Sequence, residues 1–352
     1  MITVFTPSFA DDENSNAQNL TVREVVARMD PARFRVIMFG SGAPDPRIAA
    51  RPNTRILPWG TGWNTPRILW HLFTRIPDVY FFPREGPLDR AFLAARRHLA
   101  LKTALVTYVV SGGLENDSRP LLFRAIREAD IAVGNSRYMN GVTQKLGGRN
   151  VQTIYDGIDR RYYYADSDSS RASRSNRVLF AGSFRQYKRA DLMIREAAKY
   201  PEWEFRLAGT GERESACRQE AEQSGCLNVR FLGHLTAVQL GEEMRQAQLF
   251  FHPSEIEGHP QVLGQAAACG LPCVARNSYA PDYVVDGVTG LLAGSDDQLG
   301  DALARLINDP NLRRHMSGAA IEHAAKFDWD SVAEQWSAAF EKAVTERRNH
   351  RR

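Results

Sequence analysis

The sequence predicts an α/β protein of two domains, each a largely parallel sheet assembled from βαβ units. Three observations carry this prediction. Short β-branched or aromatic runs alternate with helical stretches along most of the chain, the rhythm of strand-crossover-strand units. The alternation stops once, over residues 166–176, and then restarts. Finally, 352 residues are more than one hydrophobic core serves well and suit two domains of ordinary size.

In the first domain the candidate strands are 2–5, 35–39, 79–82, 104–108, 131–134 and 151–154. Helical patterns cover 19–29, 88–98, 119–128 and 137–146. The apolar residues of these strands run together rather than alternate, as expected of strands buried on both faces. The stretch 166–176 holds no apolar residue larger than Ala172, cannot contribute to a core, and reads as the linker. Beyond it, strands are expected at 177–181, 203–207, 229–231, 249–251 and 272–275, with the clearest helices at 189–197, 213–223 and 239–246. Asp309 and Pro310 supply a cap and a first-turn proline for a further helix. The last helix carries Trp329, Ala333, Trp336, Phe340 and Ala343 as an apolar stripe, which predicts a packed face. The expected division is 1–165, a linker at 166–176, a second domain at 177–327, and a terminal helix with a basic tail at 328–352.

Composition narrows the function classes. A formal net charge of +4, much of it in the tail Arg347, Arg348, Arg351 and Arg352, lacks the strength of a nucleic-acid footprint. No apolar run approaches the roughly 18 residues of a membrane span, and residues 1–5 lead straight into an acidic loop without the basic start of a secretory leader. A cytoplasmic protein is expected. Cys217, Cys226, Cys269 and Cys273 lack a Cys-x-x-Cys pair, so reduced thiols are expected rather than a zinc site.

Parallel α/β sheets bind ligands beyond the carboxyl ends of their strands, which points to the loops after the second domain's strands. After 177–181 come Gly182, Ser183, Arg185, Lys188 and Arg189. The glycine allows close backbone approach, and the cations stand near a helix start, where backbone N–H groups also attract anions. A diphosphate suits that place; a solvated basic turn is the plainer reading. Gly209 and Gly211 form a small-residue turn after the next strand, a weak signal alone. The third loop, 253–272, is more specific. Glu257 lies just before a helix that opens near Pro260 or Gln261, and Gln265 lies about one turn inside it.

From Glu257 through Gln265 to Ala266, Ala268, Gly270 and Pro272, this third segment resembles the signature of the retaining glycosyltransferases of family 4. That signature is Glu, seven residues, Glu, then Ala-x-Ala-x-Gly-x-Pro. Further segments are similar to that family: Gly182 to Lys188, Asn228 to Gly233, Pro281 to Gly290, Phe327 to Trp329, and Tyr155 to Asp159. The likeness is nearly continuous over 177–344 and diffuse in the first half. It implies the GT-B fold, two Rossmann-like βαβ domains facing across a cleft, with the C-terminal helix crossing back to the N-terminal domain. It also implies transfer of a sugar from a nucleoside-diphosphate donor, UDP slightly favoured over GDP, to a glycan, lipid-linked or small-molecule acceptor bound in the first domain.

The resemblance assigns residue roles as well. Lys188 and Glu257 would be catalytic. Gly182, Ser183, Arg185, Lys188, Gln261 and Val262 would hold the diphosphate, and Glu257, Gly258, His259 and Pro260 the sugar. Gln265 would hold the ribose, and Gly209, Gly233, His234 and Leu235 the base. No cofactor or metal is implied, because protein cations meet the diphosphate charge; Asp166 and Asp168 have metal-motif spacing but sit in the linker.

Several positions depart from the family pattern. Gln265 stands where Glu is usual, Ser183 where Arg is usual, and Val109 where many relatives have His. Residues 11–17 replace a Gly-Gly loop. Arg185 or Arg189 would have to stand in for the missing cation. These departures motivate an alternative, a nucleotide-sugar-binding protein with lost or weak transferase activity. One segment remains outside the resemblance: Trp59, Trp63, Trp70 and Arg75 interleave with a helix presenting Ile68, Leu69, Leu72 and Phe73. Core packing is the plainer reading, and peripheral contact with the inner face of a membrane is the alternative.

Overall fold

A computed structural model describes residues 1–11, 17–59, 76–81, 86–99, 101–110, 119–167 and 174–349. The chain forms two compact units, Met1–Asp156 with Trp329–Arg352, and Gly157–Asp328.

The first unit holds β1 (Ile2–Phe9), β2 (Phe34–Gly40), β3 (Thr54–Pro58), β4 (Val79–Phe81), β5 (Ala104–Val109), β6 (Ile131–Gly134) and β7 (Val151–Thr153). All pair in parallel, in the order β3-β2-β1-β4-β5-β6-β7. The runs of apolar residues are explained by cover on both faces. Val4, Val36, Phe81 and Val106 join one core, while their neighbours Phe5, Ile37, Tyr80 and Leu105 join a second on the opposite face.

The helix Trp329–Asn349 packs in the first of these cores. Trp336 is fully buried, its ring 4.8 Å from Phe81 and 5.1 Å from Tyr108, and Phe340 meets Phe34 at 6.3 Å. Arg33 ties down the exposed face through Glu334 and Glu341. The sequence stripe is therefore a packing face. Trp336→Ala is expected to lower stability by about 3–5 kcal/mol, through lost burial and the cavity left behind; urea denaturation measures the loss.

The two units divide at Asp156/Gly157, before the polar stretch 166–176. Residues 157–165, expected in the first domain, thus fall in the second unit. Ile158 N–H donates to Phe327 O at 2.7 Å, Arg245 donates to Tyr162 O at 2.9 Å, and Tyr163 is buried. On the other side of the division, Asp156 accepts from Thr21 at 2.7 Å, from Asn135 at 3.0 Å and from the Tyr108 hydroxyl. Arg174, within the expected linker, donates to Cys269 O at 2.9 Å. Polar composition marks where chain is solvated, and that need not be where one core ends and the next begins.

The second unit holds β8 (Arg177–Ala181), β9 (Glu204–Ala208), β10 (Val229–Gly233), β11 (Leu249–His252), β12 (Cys273–Arg276) and β13 (Gly290–Ala293). They too are all parallel, in the order β10-β9-β8-β11-β12-β13. Sequence pattern did not anticipate β3, β13 or the helices Pro46–Ala49 and Asp296–Asn308. In β3 only Leu57 is buried, and the strand ends at a proline; β13 is four residues long. β3 thus lacks the continuous buried run of the other strands. The helix expected at 189–197 begins instead at Asp191, after a 3₁₀ turn over Gln186–Lys188. Between them Arg189 takes a left-handed conformation, φ 51°.

No helix among the described residues is long and apolar enough to cross a membrane. Trp59 is half-exposed and packs edge-on to Phe9, at 5.6 Å. The rest of the aromatic segment, Trp63 to Arg75, lies outside the described residues, as does Asp168. The four cysteines are free thiols, and Cys217, Cys269 and Cys273 are buried.

Candidate active site

In the second sheet β8 and β11 are neighbours, paired in parallel through Val178–Leu249 and Leu179–Phe250. The strand order reverses between them: β9 and β10 lie to one side, β12 and β13 to the other. In parallel α/β sheets, ligands gather at such a switch point, beyond the carboxyl ends of the strands. The loops at those ends carry the two most suggestive sequence segments.

They meet directly. Glu255 N–H donates to Tyr187 O at 2.8 Å, and Lys188 Nζ donates to Glu257 Oε1 in an ion pair. Side-chain exposure is 14% for Lys188 and 13% for Glu257, so the pair sits in the wall rather than in bulk solvent. His252, the last residue of β11, is fully buried with Nε2 3.2 Å from the same carboxylate oxygen. Burial pushes the Glu257 carboxyl upward, but the hydrogen bond and charge interaction with His252 and the charge of Lys188 outweigh it and hold the group at about 2. Burial also lowers His252, against the pull of Glu257. The site therefore presents a carboxylate braced by an imidazole and an ammonium.

The loop after β8 is stitched to its neighbours by main chain. Gly182 N–H donates to Ala208 O at 3.0 Å, Phe184 N–H to Thr210 O at 2.9 Å, and Gly209 N–H to Gly233 O at 2.7 Å. At Gly209, φ is 130° and a Cβ would lie 1.9 Å from Gly182 O, so no other residue fits. The weak glycine turn of the sequence is thus the seam that aligns Gly182, Gly209 and Gly233 along one edge. Next to Gly233, His234 is exposed and Leu235 half-buried, just before Thr236 caps the following helix.

The cations divide. The Arg189 guanidinium pairs with Asp191 at 3.0 Å, Asp296 at 2.8 Å and Glu255 at 2.8 Å. Its left-handed backbone turns it into that cluster, where Arg276 also pairs with Asp296. Arg185 is exposed and makes no ion pair among the described residues, and Ser183 is half-buried.

The helix Gln261–Ala268 opens at Pro260 without a side-chain cap. The first-turn amides of any helix, here those of Gln261 and Val262, lack intrahelical acceptors and carry the positive end of its dipole. Gly264 lets the helix lie against Tyr283, since a Cβ there would be 2.6 Å from the ring. His259 stacks on the same ring at 4.0 Å, and burial lowers it to about 3. Burial thus keeps this histidine neutral against the Tyr283 ring. Gly258 and Pro260 are buried, while Gln265, one turn in, is half-buried. Val109 is buried at the end of β5 in the first unit.

His252, Tyr279, Asp296 and the structural use of Arg189 were not read from sequence. The one available signal was a histidine closing the apolar run Leu249-Phe250-Phe251 beside an acidic loop.

Two doubly wound parallel sheets, the second with an ion pair at its switch point, define a GT-B architecture. Solved structures agree. The UDP complex of HepE from Anabaena superposes with a TM-score of 0.78 at 20% identity, covering 97% of this chain and 100% of that one. Sucrose-phosphate synthase from Thermosynechococcus elongatus gives 0.77 at 17%, covering 98% and 100%. Residues 165–323 match the family model of the glycosyl transferases group 1. A D-inositol 3-phosphate glycosyltransferase of Kribbella flavida is 34% identical over 219 residues, 55% of this chain and 51% of that protein. An uncharacterized glycosyltransferase of Methanocaldococcus jannaschii is 27% identical over 210 residues, 58% of each. The chain thus spans about half the length of the curated relatives it matches.

Proposed function

We propose that the protein is a retaining glycosyltransferase that moves a sugar from a nucleoside-diphosphate donor to a hydroxyl of a glycan, glycolipid or small-molecule acceptor. UDP is favoured over GDP as the donor nucleotide; UDP is the ligand named for the HepE complex. The observation that carries the reading is the meeting of Lys188 and Glu257 at the switch point of the second sheet.

The chemistry follows from those two groups. Departure of the diphosphate builds negative charge, which a fixed ammonium and the first amides of the helix Gln261–Ala268 stabilise most where it develops. Donor binding draws Lys188 from Glu257 to the phosphates, with Arg185 as the loop's remaining cation. The sugar becomes oxocarbenium-like, and the ionised Glu257 accepts from its hydroxyls and stabilises that charge. The Gln265 amide accepts from one ribose hydroxyl and donates to the other, without the charge assistance of a carboxylate. Gly209, Gly233, His234 and Leu235 border the base, and protein cations rather than a metal offset the diphosphate. The acceptor is assigned to the first unit.

Gln265, Ser183 and Val109 favour a second reading, a sugar-nucleotide-binding protein with lost or weak transfer. One panel separates the two. UDP-, GDP-, ADP- and TDP-sugars are assayed for binding by calorimetry and for sugar release, with the anomer of the product followed by NMR. Fastest release from a UDP-sugar with retained configuration is expected. Binding without release or transfer moves the protein to the second reading, and no binding to any donor defeats both.

A further inference from the structure

β11 ends in a residue that its surroundings do not favour. Leu249, Phe250 and Phe251 are fully buried, and His252 is buried to the same degree. A polar ring in such a place costs stability unless its hydrogen bonds are made. His252 makes one of its two: Nε2 reaches Glu257 Oε1, while Nδ1 has no partner among the described residues. The carboxylate can only accept, so Nε2 carries the proton and donates it. The rings of Phe250, stacked at 6.2 Å, and Tyr279, edge-on at 6.4 Å, fix the imidazole plane.

Three titratable groups face Glu257, each from a different segment. They are Lys188 from the loop after β8, His252 from β11, and Tyr279 from the segment after β12, whose phenol burial and the nearby carboxylate keep protonated. Lys188 and His252 are the two that bond to it. If Lys188 turns to the donor diphosphate, as the proposed function requires, His252 is the bonded partner that stays. A largely buried carboxylate stripped of partners takes up a proton or swings away.

We propose that His252 is a positioning residue that holds Glu257 Oε1 in place, so that the carboxylate keeps its place at the switch point once Lys188 has moved to the donor. The histidine touches no substrate and acts only through Glu257. The inference rests on the glycosyltransferase reading for its consequence in turnover, but not for the contact itself.

The test uses the full chain as wild type, His252→Leu and His252→Gln. Leucine suits the buried strand but cannot donate; the glutamine amide reaches about as far as Nε2. Two readouts are taken: the pH dependence of sugar release from UDP-glucose, and a carboxyl NMR titration of glutamate-labelled protein without donor. The Glu257 resonance is assigned by its loss in Glu257→Gln. His252→Leu is expected to lower kcat by on the order of tenfold with donor KM changed far less. The acid limb of its kcat profile moves to higher pH, and His252→Gln restores both features. By NMR, Glu257 stays ionised from about pH 8 to about pH 4 in the wild type and begins to protonate in that window in the leucine variant. Wild-type kcat, acid limb and carboxyl titration in a folded leucine variant overturn the proposal. If the leucine variant does not fold, a folded glutamine variant with displaced acid limb and titration overturns it equally. If the wild type releases no sugar from UDP-glucose, the proposed function is in question, while the donor-free titration still decides whether His252 holds Glu257.

Discussion

Lys188→Ala is expected to reduce kcat/KM for sugar release from a UDP-sugar by on the order of a thousandfold. Lys188 is the cation at the switch point, since Arg189 is tied to Asp191, Glu255 and Asp296 and Arg185 is exposed. The diphosphate acquires charge as it leaves, so the ammonium acts more strongly on the transition state than on the bound donor. Removing one such preorganised contact from a sheltered site costs about 10²–10³ in rate, and part of donor binding is lost as well. Steady-state kinetics measure the first effect and UDP calorimetry the second. A variant that binds UDP and turns over like the wild type would remove Lys188 from the site.

Glu257→Ala is expected to lower kcat by about 10²–10³ while UDP affinity stays near that of the wild type. The distinction follows from the roles proposed: the carboxylate faces the sugar, and the ammonium faces the diphosphate. The substitution also has a signature in stability. Glu257 sits at about 2 against an ordinary 4.5. A group depressed in the folded state contributes stability that is complete above its unfolded pKa and is lost as pH falls through the folded one. Wild-type stability should therefore decline between about 4.5 and about 2, and the alanine variant should lack that share of the decline. Equal kcat in the two proteins, or an identical acid dependence of their unfolding, would contradict the assignment.

What could be read from sequence was local. β6 and β8 coincide with the expected 131–134 and 177–181, because both are short apolar runs bounded by polar chain. The Lys188 and Glu257 loops were found because ligands gather beyond strand ends and because their residues resemble a known signature. The contact between them was not readable. It depends on β8 lying beside β11, a pairing between segments about 70 residues apart that no local pattern encodes. The ion pairs of Arg189 are not readable for the same reason, since its partners Glu255 and Asp296 come from distant segments. His252 was passed over because a strand-end histidine acquires meaning only from the neighbour it reaches. The domain division was placed late because the polar stretch 166–176 is conspicuous, whereas the hydrogen bonds that bind 157–163 to the second unit are not.

Arg189 has a consequence for recognition. By joining Glu255 and Asp296 it clamps two distant segments to the loop after β8, and Glu255 is itself bonded to Tyr187 within that loop. A surface fixed in this way is formed before any guest arrives. Discrimination among nucleotides would then come from the shape of a stiff template, with side-chain exchange at Lys188 as its moving part, and not from a loop that folds around whatever enters.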